Sequence, residues 1–256
     1  MALLEVRGLT KYFGGLAAVS DLDFDISKGE LVGLIGPNGA GKTTLFNTIS
    51  GVCSPSRGRV IFKGEDITGL KPHKIAEKGM VRTFQLTSLF KNKTTLENVI
   101  VAHHLQSKTG FWGTLFNTPT SRREENDNKQ KAIEILENLG LSPVKDKIAR
   151  NLPYGQQRAL GMAIALAAEP ELLMLDEPVT GMNQEEIMNA MALIKRIQER
   201  GITILLVEHN MRVVMGFCER IIVLNYGKKI AEGQPEEIRG NKQVIEAYLG
   251  VEGYVT

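Results

Sequence analysis

The residues with the clearest chemistry form one short glycine-rich segment. Residues 36–43 read GPNGAGKT and match the phosphate-loop pattern G-x-x-x-x-G-K-[ST]. Glycines let the backbone wrap closely around phosphates, so that successive N–H groups point at them. Lys42 can reach the β- and γ-phosphates, and the Thr43 hydroxyl can ligate Mg²⁺. The segment therefore predicts a nucleoside triphosphate site. Its predicted ligand-binding residues are Gly36, Pro37, Asn38, Gly39, Ala40, Gly41, Lys42, Thr43 and Thr44.

An acidic pair follows a second apolar run. Leu172–Leu175 is followed directly by Asp176 and Glu177. Asp176 is predicted to hold Mg²⁺, and Glu177 is predicted to polarise an attacking water. By itself, an Asp-Glu pair after a strand is most simply a solvated loop. Because a phosphate loop occurs in the same chain, the hydrolytic interpretation is favoured.

Short buried strands must position these two motifs. Apolar runs at Leu31–Ile35, Leu172–Leu175, Ile202–Leu206 and Ile221–Leu224 are typical of such strands. Helical spacing of the apolar residues replaces this pattern between Thr94 and Leu139. Strands that alternate with helices predict an α/β or α+β layout.

Composition excludes several classes of protein. In 256 residues, 31 Lys and Arg balance 29 Asp and Glu, so the net charge of +2 gives no reason to expect a nucleic-acid partner. The two cysteines, Cys53 and Cys218, cannot form a disulfide framework or a zinc cluster. No apolar run approaches the roughly 20 residues of a membrane-spanning helix. We therefore expect any membrane association to be peripheral, through a partner.

The phosphate loop, the acidic pair and residues 152–158 (LPYGQQR) together resemble the motifs of the ATP-binding cassette (ABC) ATPases. The resemblance covers essentially the whole chain. It implies a single α/β domain with a P-loop NTPase core, an antiparallel β subdomain and an inserted helical subdomain. The expected boundaries are 1–85 and 160–256 for the core and β subdomain, and approximately 86–159 for the helical subdomain with its signature loop.

The resemblance also implies roles for residues outside the two motifs. Phe13 matches the aromatic residue that stacks on adenine, with Tyr12 as a rival. Gln85 matches the Q-loop glutamine, which senses Mg²⁺ and meets the transmembrane partner, and His209 matches the switch histidine that contacts the γ-phosphate. The implied catalytic residues are Lys42, Gln85, Glu177 and His209, and the implied Mg²⁺ ligands are Thr43, Gln85 and Asp176.

The signature loop departs from the family's usual Leu-Ser-Gly-Gly-Gln, because residues 152–156 read LPYGQ. Pro153 has neither the hydroxyl nor the backbone N–H of the usual serine. Gly155 and Gln156 keep the pattern and are expected to complete the ATP site of an opposite subunit. If a different partner supplies an intact signature, we expect the site that receives Pro153 to hydrolyse slowly. Two equivalent sites are the alternative.

Four segments point to one branch of the family, and together they resemble the LivG-type ATPases of bacterial branched-chain amino acid importers. They are VRTFQ at 81–85, the long segment between Gln85 and Pro153, YGQQR at 154–158 and AYLG at 247–250. The first two are the more specific features, since AYLG also occurs in neighbouring families. The implied activity is hydrolysis of ATP with Mg²⁺. The implied partners are a LivF-type second ATPase or a second copy, two permease subunits and, indirectly, an external substrate-binding protein. The implied location is the cytoplasmic face of the cell membrane.

Other functions stay open at this point. An ABC ATPase for urea, for other amino acids or for lipopolysaccharide export would have a similar length. A soluble ABC ATPase of translation or DNA repair is the alternative from another class. It is disfavoured because the chain has one cassette and neither an inserted coiled coil nor a zinc module.

Overall fold

A computed structural model describes residues 2–83, 89–104 and 119–252, with side chains described throughout except at residues 104, 119–125 and 249–252. The strands in these ranges are Ala2–Phe13 (β1), Leu16–Ser27 (β2), Leu31–Ile35 (β3), Arg57–Phe62 (β4), Glu65–Asp66 (β5), Met80–Arg82 (β6), Leu172–Asp176 (β7), Thr203–Val207 (β8), Arg220–Asn225 (β9) and Lys228–Gly233 (β10). The α-helices are Lys42–Ile49 (α1), Pro72–Glu77 (α2), Thr95–His104 (α3), Pro119–Asn138 (α4), Tyr154–Leu166 (α5), Gln184–Glu199 (α6), Met211–Phe217 (α7), Pro235–Arg239 (α8) and Lys242–Glu252 (α9).

The chain divides into two compact units. One comprises Met1–Arg82 with Glu171–Thr256, and the other comprises Thr83–Pro170. The first unit contains both β-sheets, and the second is built mainly from α3, α4 and α5.

A six-stranded sheet in the first unit has the order β10-β9-β3-β8-β7-β6. Strand β3 is parallel to both β8 and β9, β7 is parallel to β8, and β6 is parallel to β7. Every residue of β3 and of β8 is buried, which explains why both strands read as continuous apolar runs. Parallel strands end at one edge of a sheet, so the segments that follow β3, β7 and β8 meet there.

The second sheet of this unit is antiparallel, with the order β2-β1-β4-β5. Leu4 and Val6 of β1 are buried and lie opposite Phe62 and Val60 of β4, which are buried as well. These side chains share one core with Phe46 of α1. The mixed α/β class expected from the sequence is confirmed, with an antiparallel β-sheet beside a sheet whose strands all run parallel except the edge strand β10.

The second unit is organised by buried polar groups as well as by apolar packing. The Thr95 N–H at the start of α3 donates to the Lys147 carbonyl oxygen at 2.9 Å. The buried Asn98 side chain accepts from the Phe90 N–H at 2.8 Å and donates to the Thr94 carbonyl oxygen at 2.8 Å. These bonds tie the segment before α3 to the segment that follows α4.

Among the described residues, no helix is long and apolar enough to span a bilayer.

The two cysteines have different surroundings, which predicts different reactivity. Cys218 is buried at the end of α7, and burial, reinforced by the charges of Glu219 and Glu208, raises the pKa of its thiol to about 12. That thiol is therefore both shielded from reagents and almost wholly protonated near neutral pH, whereas the Cys53 thiol is partly exposed. We expect a disulfide reagent to titrate one thiol rapidly in the native chain and both after unfolding in guanidinium. In Cys53→Ser the rapid phase should vanish, and two rapid thiols in the native chain would contradict the burial of Cys218.

Candidate active site

The glycine-rich loop connects β3 to α1 in a conformation that requires its glycines. Gly41 precedes α1 with a φ of 100°, and a Cβ there would lie 2.4 Å from the Ala18 carbonyl oxygen. A Cβ at Gly36 would lie 2.2 Å from the Leu224 carbonyl oxygen. Larger residues would therefore push the loop away from β2 and β9.

The Lys42 side chain folds back into this loop. Its Nζ donates to the Gly36 carbonyl oxygen at 2.6 Å and to the Pro37 carbonyl oxygen at 3.0 Å. Burial lowers the pKa of this ammonium, and the nearby Glu177 carboxylate opposes that shift. Within the described structure, no side chain caps α1 and no acidic residue lies in its first turn. The free N–H groups of the helix start therefore face an anion-binding position beside a buried cation.

An open cleft of about 320 Å³ lies over this loop. Its lining residues are Leu16, Ala17, Ala18, Asn38, Gly39, Ala40, Gly41, Lys42, Thr43, Thr44, Glu177, Tyr226 and Gly227. The cleft thus combines a phosphate cradle, one buried ammonium, one hydroxyl suited to Mg²⁺ and one carboxylate. These groups fit a nucleoside triphosphate with its Mg²⁺ ion.

Asp176, at the end of β7, forms a partly buried ion pair. Its Oδ2 accepts from Arg82 Nη2 at 2.7 Å, and the two side chains are 14% and 9% exposed. Arg82 Nη1 also donates to Asn47 Oδ1 at 2.7 Å and to Ser50 Oγ at 3.1 Å. The guanidinium therefore fixes the orientation of the Asp176 carboxylate relative to α1. The sequence predicts no site role for Arg82, because no local motif indicates a pairing across 94 positions.

Glu177 and His209 come together beside the cleft. Glu177 Oε1 lies 3.9 Å from His209 Nδ1, and Thr180 Oγ1 donates to Glu177 Oε2 at 3.3 Å. Glu177 has a φ of 47°, a conformation that is uncommon for a residue with a side chain. Its N–H is held by the Val207 carbonyl oxygen at 2.9 Å. A carboxylate beside a phosphate cradle can accept the proton of a water, and the neighbouring imidazole is near enough to orient that carboxylate or to contact phosphate.

Glu208 is a second residue of the site for which the sequence predicts no role. Its side chain is 0% exposed, and it accepts from the Val179 N–H at 3.1 Å and the His209 N–H at 3.2 Å. Burial raises the pKa of this carboxyl although its hydrogen bonds oppose the shift. Glu208 therefore acts as a positioning residue between the segment after Glu177 and the segment carrying His209. The one feature in the sequence that could have indicated Glu208 is its place directly after the buried strand β8, but no motif requires an acid at that position.

Because the pKa of Glu208 is raised, the difference in stability between the wild-type chain and Glu208→Gln should depend on pH. In the folded chain this group binds its proton more tightly than the unfolded chain does, so ionisation costs stability at high pH. That cost disappears as the pH falls from above the folded pKa toward the ordinary value of 4.5. We expect the wild-type chain to gain stability relative to Glu208→Gln over this interval. Urea unfolding of both chains at pH 8 and pH 5 measures the difference, and two parallel curves would contradict it.

The remaining predicted residues lie elsewhere. Phe13 is 54% exposed in the β1–β2 hairpin, with Lys11 Nζ 5.1 Å from its ring centroid, and it is not among the described residues that line the cleft. Gln85 lies outside the described residues. Gly155 and Gln156 belong to the second unit, in the first turn of α5, where Pro153 is the N-cap.

Two family models match the chain. A model described as ABC transporter matches residues 19–180, and one described as branched-chain amino acid ATP-binding cassette transporter matches residues 228–254. Over 249 residues the chain is 46% identical to the high-affinity branched-chain amino acid transport ATP-binding protein BraF of Pseudomonas aeruginosa, covering 97% of this chain and 98% of the relative. With the same coverage it is 45% identical to LivG of Escherichia coli, a protein of the same description. The lipopolysaccharide export system ATP-binding protein LptB of Haemophilus influenzae is 34% identical, with 98% of each chain covered.

Solved structures give the same fold. The ADP conformation of MJ1267, an ATP-binding cassette of an ABC transporter, superposes with a TM-score of 0.86 at 32% identity, covering 98% of this chain and 99% of that chain. A dimeric post-hydrolysis state of the cassette MJ0796, bound to ADP and Pi, superposes with a TM-score of 0.75 at 25% identity, covering 91% and 98% of the two chains. The fold class expected from the sequence is confirmed.

Proposed function

The chain belongs to the ABC transporter family and is an ATPase, and we propose that it powers the import of branched-chain amino acids. The observation that supports this cargo is the branched-chain family match at residues 228–254, within an identity of 45–46% that extends over nearly the whole chain. The chain is also 34% identical to LptB, so lipopolysaccharide export is the second candidate. It ranks second because this identity is lower than the identity to the branched-chain relatives. Urea and other amino acids are further alternatives for the cargo.

We assign the steps of hydrolysis as follows. The loop amides and Lys42 hold the phosphates, and Glu177 orients a water toward the γ-phosphorus. The water oxygen forms a bond to phosphorus as the bond to the β-phosphate oxygen breaks, and the water proton passes to Glu177. His209 contacts the γ-phosphate and lies beside Glu177, so it keeps these two groups aligned for the reaction. Thr43, Gln85 and Asp176 would hold Mg²⁺, which would supply positive charge to balance the charge that develops on the phosphate oxygens.

Further residues act in the assembled transporter. Phe13 stacks on the adenine, while Gly155 and Gln156 complete the ATP site of the opposite subunit. The second unit, Thr83–Pro170, is the helical subdomain of the resemblance. In α5, Tyr154 stands where the family has glycine, and its hydroxyl accepts from Arg158 Nη2 at 2.7 Å. Pro153 lacks the hydroxyl and the backbone N–H of the usual serine, and Tyr154 adds bulk. We therefore assign slower ATP hydrolysis to the site that this signature loop completes than to the other site of the dimer.

ABC transporter ATPases work as dimers with permease subunits. For this chain we propose a LivF-type ATPase as the second subunit, with a homodimer as the alternative. Two permeases hold the chain at the cytoplasmic face of the membrane, and an external binding protein delivers the amino acid. The isolated chain is expected to be mostly monomeric.

Uptake of labelled leucine tests the cargo. Cells of the source organism that lack other leucine importers receive the wild-type chain, Glu177→Gln, or the matched surface control Glu199→Gln. Uptake should be lost in Glu177→Gln and unchanged in Glu199→Gln at equal protein levels. Unchanged leucine uptake in Glu177→Gln would overturn the branched-chain assignment but not membership of the family.

A further inference from the structure

A two-residue turn between β9 and β10 forms one wall of the nucleotide cleft. Asn225 pairs with Lys228, so Tyr226 and Gly227 are the two central residues of the turn. The Gly227 N–H donates to the Ala40 carbonyl oxygen at 3.0 Å, and its own carbonyl oxygen accepts from the Ser20 N–H at 2.8 Å. The turn is therefore bonded to both the phosphate loop and β2, and its position relative to the cleft is defined.

Tyr226 is an unusual residue for this place. Its φ is 45° and that of Gly227 is 75°, a combination typical of the type I′ turn, whose first position favours Asn, Asp or Gly. The Tyr226 side chain is 83% exposed, so it contributes little apolar packing to the fold. A bulky residue held in an unfavoured backbone conformation, without packing to compensate, suggests a role in binding.

The position of Tyr226 in the wall of the nucleotide cleft indicates what it binds. Tyr226 lines the cleft together with Leu16 of β2. Phe13, the aromatic residue expected from the sequence, is not among the described lining residues. An aromatic side chain beside a phosphate cradle is suited to the flat π-surface of a nucleobase. The ring and the apolar Leu16 are suited to a nucleoside, and the loop amides are suited to phosphate.

We propose that Tyr226 is a nucleotide-binding residue whose ring packs against the nucleoside part of the bound nucleotide. This inference rests on the proposed ATP site, and it adds a second aromatic contact to the one assigned to Phe13. The ring contributes to affinity for the nucleoside and leaves affinity for the phosphates to the loop.

Calorimetric titration of the full chain with Mg·ADP and with Mg·pyrophosphate tests this division. Tyr226→Ala and Tyr226→Asn should bind Mg·ADP about tenfold more weakly than the wild-type chain, with unchanged affinity for Mg·pyrophosphate. Tyr226→Phe, which keeps the ring, should restore binding of Mg·ADP. Because Asn suits the turn, Tyr226→Asn should also melt at the wild-type temperature or above it, so that stability and affinity change independently.

Lys63 gives a matched control. It occupies the first position of the β4–β5 turn with a φ of 55°, and it lies outside the cleft lining. Lys63→Asn should therefore leave the affinity for Mg·ADP unchanged. Wild-type affinity for Mg·ADP in both Tyr226→Ala and Tyr226→Asn would overturn the inference, as would an equal loss of both ligands. A wild-type chain that binds neither ligand would instead overturn the proposed ATP site.

Discussion

Replacing Glu177 with Gln should lower the kcat for ATP hydrolysis by about a thousandfold while ATP binding persists. The amide keeps the size of the side chain but cannot accept the proton of the attacking water. The reason for choosing Glu177 is geometric, because its carboxylate lines the cleft and lies 3.9 Å from His209 Nδ1. Its backbone is anchored to β8 through the Val207 carbonyl oxygen, so the substitution should leave the loop conformation intact.

Phosphate release measures the rate, and calorimetry measures ATP affinity in the same preparation. If the assembly with the permeases is used, Glu199→Gln provides the matched change of Glu to Gln on an exposed part of α6. Hydrolysis in Glu177→Gln within a few-fold of the wild-type rate would show that another group accepts the proton. A simultaneous loss of ATP binding would instead show that Glu177 supports the loop.

Lys42→Met should weaken ATP binding by about a hundredfold. Methionine retains much of the apolar stem but removes the ammonium, which the Gly36 and Pro37 carbonyl oxygens hold inside the loop. Without that charge, two loop carbonyl oxygens face the phosphates with no cation between them. The loss should therefore exceed that of one neutral hydrogen bond.

Titrating ATP into Lys42→Met in the Glu177→Gln background measures this loss without turnover. Lys195→Met serves as the matched control, since its ammonium lies 3.2 Å from Glu219 on an exposed surface. ATP affinity within threefold of the parent chain would contradict the assigned role of Lys42. An equal loss in Lys195→Met would trace the effect to net charge.

Local conformation around the site could be predicted from the sequence. The apolar run Leu31–Ile35 forms β3, residues 36–43 lead into α1, and Leu172–Leu175 ends at an acid as expected. Each of these features depends on neighbours a few positions apart, and steric preference at glycine and buried apolar runs act at that range. The family resemblance supplied the order of the motifs and, with it, the class of fold.

Contacts among the side chains of the site depended on the tertiary structure. The sheet order places β3 between β8 and β9, and this brings His209 and the Tyr226 turn beside a loop that is far away in sequence. Arg82 reaches Asp176 because β6 lies beside β7, and Glu208 becomes a buried acceptor because the segment after Glu177 covers it.

The sequence by itself therefore determined the phosphate loop, the acidic pair and the buried strands, since these follow from short-range spacing. The tertiary structure alone decided which distant groups orient Asp176 and His209, and which aromatic residue lines the cleft. The physical reason is that long-range pairing depends on how strands stack in the sheet, and residue spacing along the chain does not specify that order.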